Sequence, residues 1–325
     1  MKLLANDGID HVGKSMLEQA GFQVDTEHIK PEDLPFRIHE YDAITVRSAT
    51  QLRKELIDQA PKLKLIGRGG VGMDNIDVSY ARSKGITVIN TPAASSLSVA
   101  ELVFAHLFSG VRFLYDAQRR MPLEGDTAFA RLKKSYSQGI ELRGKTLGVV
   151  GFGRIGQEVA RIGLGLGMNV LVCDLNEIPP TIPVSFANGI VVELPVFKRD
   201  LAELLKEVDF VSFHVPFTEK PLLGTKEFSM VKPGIGIINT SRGSVIDEQA
   251  LIAALDSGMV SFAGLDVFDN EPTPSQEILG HSKVSLSPHI GAATVQAQER
   301  VGVELASLII SHFESIKEPK QSIAQ

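Results

Sequence analysis

The chain has 325 residues, of which 43% are hydrophobic and 22% charged, and its formal net charge is −6 at pH 7. These values predict a globular protein of two domains and argue against a general electrostatic attraction to nucleic acid or to an anionic membrane. The single cysteine, Cys173, excludes an intrachain disulfide framework and a metal site of several thiolates. Since no signal-like segment opens the chain and no apolar run is long enough to span a membrane, we expect a cytoplasmic protein. We also expect no bound metal.

The first 93 residues alternate short runs of β-forming residues with helical stretches. The runs that predict strands are 2–5, 23–25, 43–46, 63–66 and 86–89. This alternation predicts a parallel sheet flanked by helices.

A glycine-rich loop at 67–72 follows the fourth predicted strand with Gly-x-Gly-x-x-Gly spacing. The next strand ends in Asn90 and Thr91 rather than in an acidic residue, so the fingerprint of a dinucleotide site fails here. The loop therefore needs another function.

The segment 98–113 is apolar at helical spacing and predicts a helix that leads from the first sheet into a second. Ser98 and Glu101 have the spacing of a capping box at its start. The charged stretch 119–143 has no clear periodicity, and we expect an extended arm or loop there.

A second loop with the same glycine spacing is formed by Gly151, Gly153 and Gly156, and it follows an apolar strand at 146–150. The first glycine permits a tight turn, the second lets the backbone approach a pyrophosphate, and the third lets the helix lie close to the strand. The pyrophosphate would then lie over free amides at a helix N-terminus. The loop therefore predicts the first βαβ unit of a dinucleotide-binding domain.

An acidic residue, Asp174, follows the second strand of this unit, 23 residues after Gly151. A carboxylate at this position accepts hydrogen bonds from ribose hydroxyls and repels a 2′-phosphate. The next residues, Leu175 and Asn176, supply no arginine that would bind such a phosphate. The sequence therefore predicts NAD rather than NADP.

The second sheet is predicted to contain seven strands, near 146–150, 169–173, 190–192, 209–213, 234–239, 261–265 and 284–286. The glycines at 163, 165 and 167 are expected to loosen the end of the helix before the second of these strands. A helix at 247–257 is bounded by Asp247, which can cap its start, and by Gly258, which can end it. The amphipathic last helix, at about 293–316, could return to the first domain.

Three consecutive strands of the second sheet deliver polar residues at their carboxyl ends, which is where ligands bind in open α/β sheets. These residues are Arg242, Glu271 and His289. Together they suit hydride transfer at a bound nicotinamide: Arg242 can hold a substrate carboxylate and His289 can exchange the hydroxyl proton. Glu271, if it is hydrogen-bonded to His289, would orient the ring and favour its charged form. The alternatives are a surface turn for Arg242 and a solvated loop acid for Glu271.

His214 and Pro216 follow another strand of the second sheet. They could line the adenine side of the cofactor pocket. A buried histidine with satisfied hydrogen bonds is the alternative for His214.

The chain resembles the D-isomer-specific 2-hydroxyacid dehydrogenases from about residue 43 to residue 306, and among them most closely the D-3-phosphoglycerate dehydrogenases of serine biosynthesis. The residues that carry the resemblance are 46–50, 67–75, 90–92, 96–101, 151–156, 239–243, 265–268 with 271–272, and 288–292. The resemblance implies that Arg242, Glu271 and His289 are the catalytic trio. It also implies cofactor contacts by Arg154, Ile155, Asp174, Val215, Thr240, Ser241, Asp266, Gly291 and Ala292.

The resemblance assigns the loop at 67–72 as well: the amides of Gly69, Gly70, Val71 and Gly72 would bind the substrate carboxylate, and Arg47 and Arg68 the phosphate. It implies oxidation of D-3-phosphoglycerate to 3-phosphohydroxypyruvate, a small anionic 2-hydroxy acid. Two alternatives stay open, namely another D-2-hydroxyacid dehydrogenase acting on glyoxylate or hydroxypyruvate, and an NAD-sensing protein like the corepressors built on this fold.

The expected fold is α/β, with a Rossmann NAD-binding domain at 94–295 inserted in a flavodoxin-like substrate-binding domain formed by 1–93 and 296–325; both are doubly wound parallel sheets. The resemblance further implies a homodimer through the cofactor domain, with a tetramer as the alternative. Some members have a tryptophan in the region that corresponds to 131–138, whereas this chain has none, so whether Lys134 reaches a neighbouring subunit stays open. Some members also carry a C-terminal regulatory domain that binds serine, and since this chain stops at Gln325 we expect that feedback to be absent.

Overall fold

The computed structural model describes residues 1–317 and divides the chain into two compact units. Unit 1 contains residues 1–95 together with the chain from 292 onward, and unit 2 contains residues 96–291. The sequence placed these two boundaries after residue 93 and before residue 296.

Unit 1 is built on a five-stranded sheet in which every pair of neighbouring strands is parallel. Its strands are β1 (Lys2–Ala5), β2 (Gln23–Asp25), β3 (Ala43–Val46), β4 (Leu65–Arg68) and β5 (Thr87–Asn90). Its first helices are α1 (His11–Gln19), α2 (Leu34–Arg37), which continues into a 3₁₀ turn at Ile38–Glu40, α3 (Lys54–Asp58) and α4 (Val78–Ser83). The strand order β2-β1-β3-β4-β5 is the flavodoxin-like order, as expected.

Unit 2 is built on a seven-stranded sheet in which every pair of neighbouring strands is parallel. The strands of unit 2 are β6 (Thr146–Val150), β7 (Asn169–Cys173), β8 (Thr181–Ser185), β9 (Val191–Pro195), β10 (Phe197–Lys198), β11 (Phe210–Phe213), β12 (Ile235–Asn239), β13 (Val260–Leu265) and β14 (Val284–Leu286). Its helices are α5 (Ser96–Val111), α6 (Leu114–Ser135), α7 (Arg154–Gly165), α8 (Leu201–Glu207), α9 (Thr225–Phe228), α10 (Glu248–Asp256) and α11 (Gln276–Gly280), and a 3₁₀ turn covers Gly243–Val245. The order of the seven strands is β10-β7-β6-β11-β12-β13-β14, and the six from β10 to β13 have the Rossmann order, so this part of the fold is confirmed.

Helices cover both faces of the second sheet and bury two separate apolar clusters. One cluster joins the sheet to α8 and α10, and the other joins it to α5 and α7. This arrangement explains why the central strands read as continuous apolar runs, since both faces of a parallel sheet are buried.

The last helix, α12 (Val295–Lys317), belongs to unit 1, as predicted for the segment 293–316. It packs on α1 so closely that a Cβ added to Gly13 would lie 2.4 Å from the carbonyl oxygen of Gly302. Leu305 and Ile309 of α12 are buried against Leu3 and Leu65 of the sheet. Residues from both ends of the chain therefore form one core.

The segment near 190–192 does form a strand, but its predicted place in the second sheet is wrong. This segment is β9, which pairs antiparallel with β8 in a separate hairpin, and the edge of the main sheet is β10. The turn contains Gly189 at φ +84°, and Phe186 and Ile190 are joined by a backbone hydrogen bond of 2.8 Å. A glycine in the left-handed region closes the local hairpin, which therefore forms instead of a crossover to the sheet.

The extended arm predicted at 119–143 is also wrong, because α6 occupies much of it. Arg120 and Glu124 form an ion pair of 2.6 Å across one helical turn, which supports a charged helix surface. Only Leu132 of this helix is buried, and Pro122 lies within it. The helix therefore has no continuous apolar stripe, and the periodicity on which sequence prediction depends is missing.

The predicted capping box is wrong as well, since Ser98 is the third residue of α5. Its hydroxyl donates to the carbonyl oxygen of Gly291 at 2.7 Å instead of capping the helix. Two other helix ends agree with the predictions. The Asp247 side chain accepts from the amide of Ala250, and Gly258 follows α10 at φ +77°.

Among the described residues, no single helix is both long enough and apolar enough to cross a membrane. The bent pair formed by α5 and α6 passes the same test of length and composition when the two are taken together. Ten of the sixteen residues of α5 are buried inside unit 2.

Candidate active site

Arg242, Glu271 and His289 lie in the loops that follow β12, β13 and β14. These three strands are consecutive parallel neighbours in the sheet, so their carboxyl ends lie at one edge. The strand-end argument from the sequence therefore puts all three loops on the same side of unit 2.

The side chains of Glu271 and His289 are hydrogen-bonded, with 2.8 Å between Oε2 and Nδ1. Because a carboxylate only accepts hydrogen bonds, Nδ1 carries the proton and Nε2 of a neutral ring is left as an acceptor. The other carboxylate oxygen, Oε1, accepts from the backbone amide of Phe268 at 3.0 Å. The hydrogen bond on which the predicted role of Glu271 depends is therefore present.

Burial on its own would raise the pKa of Glu271, but the hydrogen bond from His289, and the charge of that ring when it is protonated, lower the pKa below its ordinary value. The amide of Phe268 and the charge of Arg242 act in the same direction. Glu271 is therefore a carboxylate at neutral pH, and the guanidinium of Arg242 lies near enough to influence it. The structure brings the trio together.

The loop that carries Arg242 is held by Asn239, which is the last residue of β12. The Asn239 side-chain amide donates to the carbonyl oxygen of Arg242 at 2.8 Å, and its oxygen accepts from the amide and hydroxyl of Ser241. One nitrogen of the Arg242 guanidinium donates to the carbonyl oxygen of Ser241 at 2.7 Å. Next in the chain, a Cβ added to Gly243 would lie 2.0 Å from the carbonyl group of Phe268. The backbones of the loops after β12 and β13 are therefore in direct contact at this glycine.

The glycine loop has the geometry that its spacing predicts. Gly151 has φ +91°, and a Cβ there would lie 2.6 Å from the carbonyl oxygen of His214. A Cβ on Gly156 would lie 2.0 Å from the carbonyl oxygen of Gly151. Gly153 precedes the first helical residue, Arg154, and no atom lies within 4 Å of the position of its missing Cβ. Such open backbone at a helix N-terminus suits a pyrophosphate.

Asp174 follows β7 and points back to the glycine loop. Its Oδ2 accepts from the amide of Phe152 at 2.6 Å, and its Oδ1 accepts from the amide of Asn176 at 2.8 Å. Burial would raise the pKa of Asp174, but these hydrogen bonds lower it below its ordinary value. A carboxylate fixed in this way presents negative charge where a ribose diol, but not a 2′-phosphate, is tolerated.

Several buried polar atoms beside the glycine loop have no partner within residues 1–317. They are both ring nitrogens of His214 and the hydroxyl of Thr240. Burial lowers the pKa of His214 to about 3, so the ring is neutral and can donate or accept. Since buried polar groups are normally hydrogen-bonded, this set fits a polar ligand that supplies the missing partners. The two unpartnered ring nitrogens favour the cofactor-lining alternative for His214 over a histidine satisfied by the described residues.

The remaining residues to which the resemblance gives a cofactor role lie near these groups along the chain. Arg154 and Ile155 start α7, Val215 and Pro216 follow β11, Ser241 follows β12, Asp266 follows β13 and Gly291 follows β14. Ala292 is the first residue of the second segment of unit 1. The glycine cradle, Asp174 and the unpartnered atoms all suit a dinucleotide.

In unit 1, the structure reduces the number of backbone amides in the loop at 67–72 that can bind an anion. The amide of Gly69 donates to Val46 and the amide of Gly70 to Arg68, so these two amides are already used. In the part of the chain that the structure describes, the amides of Val71 and Gly72 donate to no backbone or side-chain acceptor. We therefore restrict the predicted carboxylate contact to Val71 and Gly72.

The two candidate phosphate residues differ. Asp7 accepts from the backbone amide of Arg47 at 2.6 Å and Asn75 donates to the carbonyl oxygen of Arg47, while the Arg47 guanidinium pairs with no side chain in residues 1–317. The guanidinium of Arg68 folds over Gly70 and donates to the carbonyl oxygen of Gly69 at 3.2 Å. The backbone of Arg47 is thus fixed while its charge stays available.

Asp7 and Asn75 were missed from the sequence. Asp7 lies just beyond the carboxyl end of β1 and also accepts from the hydroxyl of Thr50 at 2.5 Å. Asp7 carries the same sequence signal as the trio, since it is a polar residue just after a strand of a parallel sheet. A buried network around His106 was missed too, and it gave no sequence signal beyond a polar residue in an apolar helix.

Residues 104–291 match the family model described as D-isomer specific 2-hydroxyacid dehydrogenase, NAD binding domain. A hydroxypyruvate reductase of Thermotoga maritima is 42% identical over 95% of this chain and 97% of its own length. The chain belongs to the D-isomer-specific 2-hydroxyacid dehydrogenases. The match confirms the resemblance, the α/β fold and an NAD-binding domain.

Other members of the family differ in name and in length. A D-3-phosphoglycerate dehydrogenase of Methanocaldococcus jannaschii is 39% identical over 95% of this chain but only 57% of its own length. The chain spans about half the length of two further D-3-phosphoglycerate dehydrogenases that it matches, from Arabidopsis thaliana and Sus scrofa. The solved structure of a D-lactate dehydrogenase from Aquifex aeolicus, complexed with NAD and lactic acid, has a TM-score of 0.75 and 29% identity over 97% of this chain and 96% of that one.

Proposed function

We propose that this protein oxidises D-3-phosphoglycerate to 3-phosphohydroxypyruvate with NAD, the first step of serine biosynthesis. The observation that carries the proposal is the 2.8 Å hydrogen bond between Glu271 and His289 Nδ1, beside Arg242. It leaves Nε2 of a neutral, oriented imidazole to accept a proton.

In the proposed reaction each member of the trio has one role. Arg242 binds the substrate carboxylate through its guanidinium. His289 takes the proton of the C2 hydroxyl at Nε2, and Glu271 stabilises the imidazolium that forms. Bound NAD would supply the hydride acceptor for C2, so that oxidation would turn the alcohol into a ketone.

We assign the cofactor contacts to the glycine loop and the residues around it. Gly151, Gly153 and Gly156, with the start of α7 at Arg154 and Ile155, hold the pyrophosphate. Asp174 holds the adenosine ribose. The remaining contacts that we propose are His214, Val215, Pro216, Thr240, Ser241, Asp266, Gly291 and Ala292.

The chemical role of His289 is tested by His289→Asn. Asparagine keeps an amide donor for Glu271 and tolerates the left-handed backbone at this position, where φ is +54°. It removes the basic Nε2, so we expect kcat to fall by about 10²- to 10⁴-fold while NADH binding stays unchanged. A variant that keeps the parental kcat would exclude His289 as the acid/base group.

The substrate assignment rests on Arg47, whose guanidinium has no side-chain partner among the described residues. We expect Arg47→Ala to raise the KM for D-3-phosphoglycerate by about 10- to 100-fold, from the loss of one charge-assisted hydrogen bond of about 1.5–3 kcal/mol. The KM for unphosphorylated D-glycerate should change less than about twofold. Arg82→Ala, an exposed arginine of α4, is the control for loss of one positive charge in unit 1.

A second candidate is reduction of hydroxypyruvate or glyoxylate at the same trio. It is favoured by the Thermotoga maritima relative, which is named hydroxypyruvate reductase and matches this chain over nearly its whole length. A substrate panel with NAD and NADH separates the two. If kcat/KM is higher for hydroxypyruvate than for the phosphorylated pair, and Arg47→Ala leaves it unchanged, the second candidate replaces the first.

A third reading is an NAD-sensing binding protein, and the intact trio argues against it. NADH binding measured by fluorescence, together with turnover on the same panel, decides the matter. Binding without turnover of any D-2-hydroxy acid or 2-keto acid would favour the binding protein.

We also propose a cytoplasmic homodimer. The support is the set of exposed apolar side chains on α6, among them Leu123, which is 83% exposed, and Phe129, which is 59% exposed. Several large apolar side chains exposed on one helix are typical of an interface, whereas single ones scattered over a monomer surface are ordinary. Leu123→Asp should shift the mass measured by light scattering to that of a monomer, and an unchanged mass would place the contact elsewhere.

A further inference from the structure

Unit 2 contains a buried histidine that the proposed chemistry does not use. His106 lies on α5 and is 4% exposed. Its Nδ1 lies 2.9 Å from the hydroxyl of Ser285 and its Nε2 lies 2.8 Å from the hydroxyl of Ser287. Both ring nitrogens are therefore hydrogen-bonded to side chains that flank the end of β14.

The direction of these hydrogen bonds follows from the far end of the network. Ser287 donates to the carboxylate of Asp266 at 2.6 Å, which uses its only hydroxyl proton. Ser287 can then only accept from His106, so Nε2 carries the proton of the neutral ring. Nδ1 is the acceptor, and Ser285 donates to it. The network has one consistent direction, from Ser285 through His106 and Ser287 to Asp266.

Burial lowers the pKa of His106, and the charge of Asp266 only partly opposes this effect. The ring is therefore neutral at physiological pH. A charged ring would have a proton on Nδ1 as well, and the hydrogen bond with Ser285 would reverse, with the Ser285 hydroxyl as acceptor.

The carboxylate at the end of the network holds the backbone beside the proposed acid/base group. Asp266 Oδ1 accepts from the amide of Ile290 at 2.8 Å, and Oδ2 accepts from the amide of Gly291 at 2.8 Å. These two residues follow His289, whose φ of +54° lies in the left-handed region that a histidine rarely adopts. A strained residue keeps this conformation only when its surroundings fix it.

Helix α5 packs closely on the sheet at His106, the residue that contacts Ser285 and Ser287. A Cβ added to Gly264 of β13 would lie 2.6 Å from the Cβ of His106. Only glycine at this position of the strand lets the His106 ring reach the two serines.

We propose that His106 is a positioning residue for proton transfer at His289, acting through Ser287, Asp266 and the amides of Ile290 and Gly291. The inference rests on the proposed dehydrogenase function for its kinetic consequence. Its structural consequence, a backbone held in place after His289, does not depend on turnover.

Two substitutions separate the hydrogen bonds from the volume of the side chain. His106→Leu is apolar and similar in size, and it removes both the donor to Ser287 and the acceptor for Ser285. His106→Gln carries an amide that can replace both. Phe104→Leu is the control, since Phe104 is a buried residue of the same helix that makes no hydrogen bond with the network.

We expect His106→Leu to lower kcat about tenfold while the KM for the 2-hydroxy acid changes less than about twofold, since sub-ångström misplacement of a reacting group affects the rate more than binding. His106→Gln should recover at least half of the parental kcat. Phe104→Leu should lower the melting temperature without changing kcat. A parental kcat in His106→Leu, or an equal loss in Phe104→Leu, would overturn the proposal.

Amide hydrogen exchange gives a readout that does not need activity. In His106→Leu the amides of Ile290 and Gly291 should exchange at least tenfold faster than in the parent, and His106→Gln should restore their protection. Unchanged exchange in His106→Leu overturns the positioning role even if the protein turns over no substrate. Faster exchange in a protein without turnover keeps the positioning role and rejects the dehydrogenase proposal instead.

Discussion

The close approach at Gly243 lets us predict the effect of one added methyl group. A Cβ there would lie 2.0 Å from the carbonyl carbon and oxygen of Phe268 and 2.4 Å from the amide nitrogen of Asp269. Non-bonded carbon atoms settle at about 3.5–4.0 Å, so Gly243→Ala must push the two loops apart by about 1 Å or more. The first loop carries Arg242 and the second carries Glu271. A displacement of about 1 Å at a reacting group lowers the rate by on the order of 10²-fold, which corresponds to about 2.7 kcal/mol of transition-state stabilisation.

The assay is steady-state kinetics of Gly243→Ala with the best substrate of the panel, with thermal unfolding measured in parallel. We expect kcat/KM to fall about 10²-fold and the unfolding free energy to fall by about 1–3 kcal/mol, as for an overpacked site. Gly280→Ala is the control, because no atom lies within 4 Å of a Cβ at that position. If Gly243→Ala kept the parental kcat/KM, the contact between the loops would not position the trio and our reasoning would be wrong.

Three further predictions concern the cofactor site and acid stability. Gly156→Ala should abolish NADH binding in a fluorescence titration, because its Cβ would lie 2.0 Å from the carbonyl oxygen of Gly151. Asp174→Ala should raise the KM for NAD about tenfold and reduce the preference for NAD over NADP, measured as the ratio of kcat/KM values, since the repulsion of a 2′-phosphate is removed. The third prediction concerns Asp209. Burial would raise the pKa of this residue, but its hydrogen bonds with Lys232 and the amide of Thr146 lower that pKa below the ordinary value of 3.8. A lowered pKa gives stability that is present above 3.8 and lost as the pH falls through the folded value. Asp209→Asn should therefore lower the unfolding free energy by about 1–2 kcal/mol at pH 7, discounted for partial exposure, and by progressively less below pH 4, as measured by urea denaturation at each pH.

The sequence predicted the parts of the fold in which local pattern and tertiary structure agree. The central strands of unit 2 are buried on both faces, so each one is a short apolar run between polar residues. The glycines at 151 and 156 were predictable because each makes a close contact that a Cβ would prevent, and Gly153 because a pyrophosphate needs open backbone there. The trio was predictable because parallel neighbouring strands must end at the same edge of a sheet.

The errors arose where the local pattern was weak or misleading. The apolar side chains of α6 are mostly exposed, so the helix shows no stripe on one face. The hairpin of β8 and β9 depends on one left-handed glycine, and short apolar runs do not reveal which sheet they join. Ser98 matched a capping box by spacing, but its hydroxyl is used by Gly291, which lies 193 residues away. The His106 network joins three distant segments and could not be read from any one of them.

The return of α12 to the first sheet bears on how the protein is synthesised. Ribosomes release the N-terminal strands first, whereas the helix that shields Leu3 and Leu65 emerges only after all of unit 2 has been made. During translation, the part of that sheet face which α12 will cover therefore remains apolar and exposed beside α1, and it is open to chaperones or to aggregation. Unit 2 is contiguous in the chain and can therefore complete its fold on the ribosome. Unit 1 can complete its fold only after its second segment has been synthesised.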